Sequence, residues 1–404
     1  MIKKINVDQL KPGMFLHDLI CDWMSHPFAR NQFVIKSDAD IQKIRDAGIH
    51  EMYIDTDKGL DVADALTKEE ADAQIHEEML QMAQEQPQII RVSVAEEMEK
   101  ARKIHAQASK IVREVMRDVR LGHAINVTNV VPLVEEITSS IMRNSGALVS
   151  LLRIKNKDDY TFLHSVSVCT LMVTFCNSLN MDANLIREAG AGGLLHDTGK
   201  MKVPDHILNK PGRLTDEEFD IIKKHPEDGH ALLLETPGVG EIPLDITRHH
   251  HERMDGSGYP DKLPGDQITT LSQMAAIVDV YDAITANRCY HKGIPPTEAL
   301  KKMWEWSKFH FNPKLMQAFM RTVGIYPVGT LVRLESGRIG VVTEQSDTNM
   351  LTPKLKVMFS TKSNTFIPVQ EVDLSKPLGF GGGDKIVSHE DPVKWNIDPM
   401  RYIV

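Results

Sequence analysis

The stretch His196-Asp197-Thr198-Gly199-Lys200 decides how this chain is read. Consecutive side chains on a helix point about 100° apart, so an adjacent His and Asp reach one point only at a helix end or a kink. Gly199, right after the pair, fits such a terminus. Imidazole and carboxylate together suit borderline divalent metals such as iron, manganese or zinc. A carboxylate can also bridge two ions, which an imidazole normally does not do. Lys200 adds a positive charge where an anionic substrate would sit.

Working outward, the same chemistry recurs. His164 stands upstream. Downstream come Lys224-His225-Pro226, the triplet His249-His250-His251 with Glu252, and Asp279-Val280-Tyr281-Asp282-Ala283. A lone histidine is ordinarily a surface or core residue, and His164 or His225 alone would be read that way. Their convergence with His-Asp and His-His in one helical region points instead to a centre with two metal ions. Asp279 is the expected ligand of its run, and Asp282 is expected to be structural, capping or hydrogen-bonded. The turn-rich Asp255-Gly256-Ser257-Gly258-Tyr259-Pro260 follows the histidines directly and is expected to form one wall of a pocket. Histidines such as His17, His76 and His310 lack this support and are read as background.

These segments, present together and in order, make roughly residues 140 to 325 resemble the HD-GYP family, a branch of the HD superfamily of metal-dependent phosphohydrolases. The resemblance implies an all-helical domain that hydrolyses a cyclic dinucleotide, cyclic di-GMP and/or 3′3′-cyclic GMP–AMP, to a linear dinucleotide or mononucleotides in second-messenger signalling. It implies that His164, His196, Asp197 and Asp279 hold one ion. Asp197 would bridge to a second ion held by His225, His250 and His251. Lys200 would contact the scissile phosphate and share the catalytic role with Asp197, while Tyr259, Arg288 and Lys292 would contact substrate. The implied cofactor is a pair of divalent ions, iron or manganese. Where some members bind a third ion through a glutamate, this chain has Tyr160, so two are expected. Three positions after Arg288 it has His291 rather than Lys or Arg, with Lys292 next. His249 is expected to be a neighbour of the centre, and Glu252 is a candidate for orienting the imidazoles.

Composition sets the frame. The chain has 404 residues, 42% hydrophobic and 25% charged, which fits several soluble globular domains. A net charge of −9 without a long basic run argues against polymeric nucleic acid, but leaves room for a small anionic ligand. No signal-peptide core and no apolar run long enough for a membrane span is present, so the protein is expected in the cytoplasm. Cys169 and Cys176, two helical turns apart, read as core thiols.

The expected plan is a small mixed α/β domain over 1–60, regulatory or dimer-forming, then a helical connector over 61–135. The HD-GYP catalytic domain occupies 136–325, and a β-rich segment 326–404. The first segment resembles the small uncharacterised domain that often precedes HD-GYP domains. In the connector, Val94, Met98, Ala101, Ile104, Ala108, Ile111 and Val115 form one apolar stripe. It either packs on the catalytic domain or pairs with a second chain in a homodimer. The glycine run Gly379–Lys385 lacks a Gly-Lys-Ser/Thr ending and a following helix, so it reads as a linker. Two other functions were weighed. A receptor that keeps the fold would have lost ligands, and none is lost here. A different HD phosphohydrolase, acting on other nucleotides, is disfavoured by Gly258-Tyr259-Pro260.

Overall fold

A computed structural model describes all residues except 22–27, 29–31, 83–91, 124, 153–159, 211, 213, 287–292, 347–348, 378–381 and 404. At the N-terminus, strands β1 (Ile2–Asn6), β2 (Phe15–Leu19), β3 (Phe33–Val34) and β4 (Glu51–Asp55) form an antiparallel sheet in the order β1-β4-β2-β3. Helix α1 (Asp38–Asp46) buries Ile41 and Ile44 in the same apolar core as Ile5, Leu16, Met52 and Ile54. The apolar residues Ile5, Val7 and Leu10 would let the first strand run on to Leu10. It stops at Asn6 instead, because the Asn6 side chain accepts the Asp8 amide and opens a 3₁₀ turn over Val7–Gln9.

Two connector helices follow, α2 (Lys68–Met82) and α3 (Val94–Arg120). Ser93 and Glu96 form a capping box that starts α3. The stripe on α3 is spent inside the chain. Ala101, Ile104, Ala108, Val112 and Val115 are all buried in the core that also holds α4 (Val130–Leu151) and α5 (Tyr160–Ser178). Burying a large aliphatic side chain contributes roughly 1.5–3 kcal/mol, so this face is committed to the catalytic region rather than to a second chain. The expected boundary between 135 and 136 falls within α4. That helix bends at Asn144 (φ −161°, ψ 108°), whose side chain accepts the Gly146 amide and donates to Val92 O.

The catalytic region continues with α6 (Ala183–Leu195), α7 (Asp205–Leu208), α8 (Asp216–Ile222), α9 (His225–Leu234), α10 (Glu241–His249), α11 (Thr270–Thr285), α12 (Pro296–Trp306) and α13 (Pro313–Val323). Asp182 caps α6, and Thr215 with Glu218 boxes the start of α8. Pro226 lies in the first turn of α9, where its missing N–H costs nothing. Helix α5 runs through the middle, with Val166, Cys169, Met172, Phe175 and Cys176 all buried. Burial pushes the thiols of Cys169 and Cys176 up to about 12, so both stay protonated and unreactive.

The C-terminal region is a five-stranded antiparallel sheet of β5 (Leu331–Leu334), β6 (Arg338–Glu344), β7 (Lys354–Ser360), β8 (Thr365–Asp373) and β9 (Ile386–His389). Its order is β8-β7-β6-β5-β9. One face sends Val332, Val342 and Val357 into the main core, and the other gathers Leu331, Ile339, Val341 and Met358 into a small core of its own. Among the described residues, no helix is long and apolar enough to cross a membrane.

One buried ion pair ties α3 to α4. Glu97, almost fully buried, accepts Arg143 Nε at 2.8 Å, Arg143 Nη2 at 2.7 Å and Ser140 Oγ at 2.8 Å. Arg143→Ala would strand that carboxylate. It should cost about 2–3 kcal/mol in urea unfolding, less than a wholly buried pair because Arg143 keeps some solvent contact. Glu97→Gln in the same background should recover part of the loss.

Candidate metal centre

The sequence brings its ligand-type residues to helix ends. Helix α6 stops at Leu195, His196 keeps helical angles as its C-cap, and Asp197 (φ −99°, ψ 8°) turns out of the helix. The adjacent side chains can therefore face one space. The same device recurs at the end of α10, where His250 is the C-cap and His251 follows. Gly199 makes the tight approach of this turn to α9 feasible, since a Cβ there would lie 1.9 Å from the His225 carbonyl oxygen. His164 projects from α5 and Asp279 from α11.

Seven predicted residues meet in one buried space. His164 Nε2 lies 2.9 Å from Asp279 Oδ1 and 3.5 Å from Asp197 Oδ2. His196 Nε2 lies 3.4 Å from Asp197 Oδ2 and 3.8 Å from Asp279 Oδ1. The other oxygen of Asp197, Oδ1, faces His225 Nε2 at 3.4 Å and His250 Nε2 at 3.9 Å. His251 Nδ1 lies 3.9 Å from Asp279 Oδ2. Three groups result, each with ligand atoms within 4.8 Å of one another: His164, His196 and Asp279; His225, His250 and His251; and, between them, His196, Asp197 and His250. Asp197 offers one oxygen to each side.

Hydrogen bonding shows which nitrogens are available. His196 Nδ1 donates to Gly193 O at 2.8 Å, His225 Nδ1 to Ile222 O at 2.7 Å, and His250 Nδ1 to Thr247 O at 3.0 Å. Each acceptor is a carbonyl in the last turn of a helix, three residues back. A nitrogen donating to a carbonyl carries the proton, so the Nε2 atoms hold lone pairs. His225 Nε2 and His250 Nε2 nevertheless lie 3.3 Å apart, and two lone pairs cannot hydrogen-bond to each other. His196 Nε2, His251 Nε2 and Asp197 Oδ1 are buried and have no hydrogen-bond partner among the described residues. Buried polar atoms left this way are costly. Divalent cations fit this donor set and satisfy it.

The charge balance agrees. Burial works against the charge on Asp197, yet His196 and Lys200 hold its carboxyl well below the usual range. Asp279 is likewise held low despite burial, by His164 and His251. Burial, then the neighbouring imidazoles, drives His250 and His251 well below the usual histidine value, so both are neutral at pH 7. His225 moves the same way through burial. His196 is raised in spite of burial, because Asp197 and Asp279 stand beside it; the carboxylates call for positive charge in this space.

Other predicted residues fall as follows. Lys200 Nζ donates to Asp197 Oδ2 at 2.7 Å, at the rim of the centre. Tyr259 stacks on His251 with ring centroids 4.7 Å apart. Arg288 and Lys292 lie outside the described residues. His249 turns away and bonds Asp245 and Asp261. Glu252 differs from the expectation. Its carboxylate accepts the amides of Asp261, Lys262 and Leu263, bracing the loop beyond Tyr259, and makes no hydrogen bond to an imidazole among the described residues. Asp282 is hydrogen-bonded, as expected of a structural residue: its Oδ2 accepts His164 Nδ1 at 2.7 Å and fixes that ring as a carboxylate–histidine pair. Its i+3 spacing from Asp279 on one helix face was the available signal.

Comparison with known proteins identifies the family. Residues 148–315 match the family described as HD domain, and residues 2–130 match a domain of unknown function, DUF3391. The second match runs across the split drawn at residue 60 and takes in the connector helices. A cyclic di-GMP phosphodiesterase of Pseudomonas aeruginosa is 45% identical over 397 residues, covering 98% of this chain and 94% of its own. A 3′3′-cGAMP-specific phosphodiesterase of Vibrio cholerae is 36% identical over 140 residues, 34% of this chain and 26% of its own. Among solved structures, an HDG"Y"P protein of Bdellovibrio bacteriovorus aligns over 79% of this chain and 98% of its own, at 19% identity and a TM-score of 0.47.

Ions that bind only the folded chain stabilise it, by about 2.7 kcal/mol at a hundredfold excess over Kd. Chelation should therefore lower the melting temperature, and Mn(II) or Fe(II) should restore it. Asp282→Ala, which frees the His164 ring, should weaken metal affinity by about 10- to 100-fold. A melting temperature indifferent to both treatments would count against a resident metal.

Proposed function

The chain belongs to the cyclic-dinucleotide phosphodiesterases that join an N-terminal DUF3391 region to an HD domain, and on that premise we propose that its centre hydrolyses a phosphodiester bond of cyclic di-GMP. The reaction would serve second-messenger signalling in the cytoplasm. One observation carries the reading: two clusters of ligand atoms flank a single carboxylate, Asp197, with lone pairs aimed inward and no proton to share. In this reading His164, His196 and Asp279 hold one ion, His225, His250 and His251 the other, and Asp197 both. Nitrogen and oxygen donors without a thiolate suit iron or manganese.

When bound, such ions supply Lewis acidity, which activates water and offsets phosphoryl charge. The chain supplies the rest. Carbonyls Gly193, Ile222 and Thr247 fix three imidazole tautomers, and Asp282 fixes a fourth ring. Lys200, at the rim, can shift from Asp197 to a non-bridging phosphate oxygen, bringing charge stabilisation where it develops. Tyr259 forms the wall beside His251. Arg288 and Lys292 are assigned further phosphate contacts from the sequence pattern alone.

The test is hydrolysis of cyclic di-GMP and 3′3′-cyclic GMP–AMP by anaerobically purified protein, with metal content measured on the same sample and products separated by chromatography. Cyclic di-GMP cleavage is expected with two ions per chain. Asp197→Ala should remove both metal and activity. Lys200→Ala should keep the metal and lose about 10²-fold in kcat. A fully metallated protein that binds but cleaves neither nucleotide would make the domain a receptor.

A further inference from the structure

The turn that leads into β4 reaches the catalytic domain at the loop bearing Tyr259. Gly48 there has φ +69°, and a Cβ on it would lie 2.4 Å from the Cβ and Oγ of Ser257. His50 Nε2 donates to Asp255 Oδ2 at 3.1 Å, and its ring stacks on Phe309 with centroids 4.2 Å apart. Within the catalytic domain, the carbonyl of buried His310 accepts the Met254 amide at 3.2 Å. One N-terminal turn thus meets this loop at Asp255 and Ser257.

That grip lies close to the metal centre. Asp255 Oδ1 accepts both the amide and the hydroxyl of Ser257, at 2.9 and 2.6 Å. Two residues on, the Tyr259 amide donates to His251 O at 3.3 Å and its ring stacks on His251. Glu252 braces the far side of the same loop. The N-terminal sheet itself is anchored. Lys4 Nζ bridges Glu51 at 2.9 Å and Glu305 of α12 at 3.1 Å, and Tyr53 Oη donates to Glu305 at 2.8 Å. Ile20 and Tyr53 also join the main apolar core.

We propose that the N-terminal domain is a fixed wall of the catalytic pocket, with Gly48 and His50 as positioning residues that hold loop 254–260 and so keep Tyr259 against His251. The domain acts in cis on substrate binding, through packing rather than through a ligand of its own. The kinetic part of this inference rests on the cyclic di-GMP reading; the loop-ordering part does not.

The experiment uses the full-length, metal-loaded chain with His50→Ala, His50→Gln and Gly48→Ala. Amide hydrogen exchange is followed over 254–260 and over the α5 segment 164–176, and KM and kcat are measured with cyclic di-GMP. For His50→Ala, exchange in 254–260 should speed up about five- to tenfold while 164–176 is unchanged. KM should rise by a similar factor, with kcat within about twofold. Gln keeps an N–H donor at the same reach and should restore both. Gly48→Ala, which meets Ser257 and strains a left-handed residue, should show the larger effect. Loop exchange and KM unchanged in both His50→Ala and Gly48→Ala would overturn the proposal. So would a fall in kcat that only tracks lost metal with KM unmoved, since that marks plain fold stabilisation. If the wild-type chain cleaves no cyclic dinucleotide, the functional reading fails, and the exchange data alone decide this one.

Discussion

Lone pairs that face each other inside a buried space are the constraint on which this structure turns. His225 Nε2 and His250 Nε2 lie 3.3 Å apart, and Asp197 sits between two sets of imidazoles. In a medium that excludes water such an arrangement is repulsive and under-solvated. It persists because the backbone over-determines it. Each of three rings is pinned by a carbonyl of a helix's last turn, one of the groups an α-helix leaves unpaired. One hydrogen bond thus finishes a helix end and sets a tautomer. That is why three of the histidines sit just past the ends of α6, α8 and α10, His225 opening α9, rather than along a helix face.

The same economy explains which other residues matter. His164 lies in the second turn of α5, not at a helix C-terminus, and takes a carboxylate partner, Asp282, instead. Asp282 and Asp279 share one face of α11, so a single helix supplies both a ligand-type oxygen and the brace for the ring opposite. Lys200 is held by Asp197 at the rim, one turn beyond the His-Asp pair. In a chain of net charge −9, local cations of this kind rather than the overall field must attract an anion.

Much of this was legible in the sequence, for a definable reason. Residue types that ligate metals are rare enough together that their clustering carries information, and the helix-end geometry of His196-Asp197 follows from helical pitch alone. Helix caps at Asp182 and Thr215 were readable because capping is local. What was missed is long-range. Glu252 follows two ligand-type histidines in sequence, yet its carboxylate faces the amides of residues 261–263. His50 carries no motif, and its role depends on how two domains dock. The stripe on α3 fits a second chain as well as its own domain by periodicity; only the fold shows which apolar surface it covers.

The final step concerns what joins the helices. The centre draws side chains from α5, α6, the start of α9, the end of α10 and α11, elements separated widely in sequence. Ions held there would cross-link five segments at once, so metal affinity becomes part of the folding free energy. The apolar core alone can bring α5 between its neighbours, as the burial of Val166, Cys169 and Phe175 indicates, but it cannot favour a space lined with unpaired nitrogens. The protein therefore uses ordinary packing to hold open a site whose electrostatics only a cation, and then an anionic phosphate beside it, can balance. The N-terminal sheet, gripping the loop next to His251, closes one side of that space without adding a ligand to it.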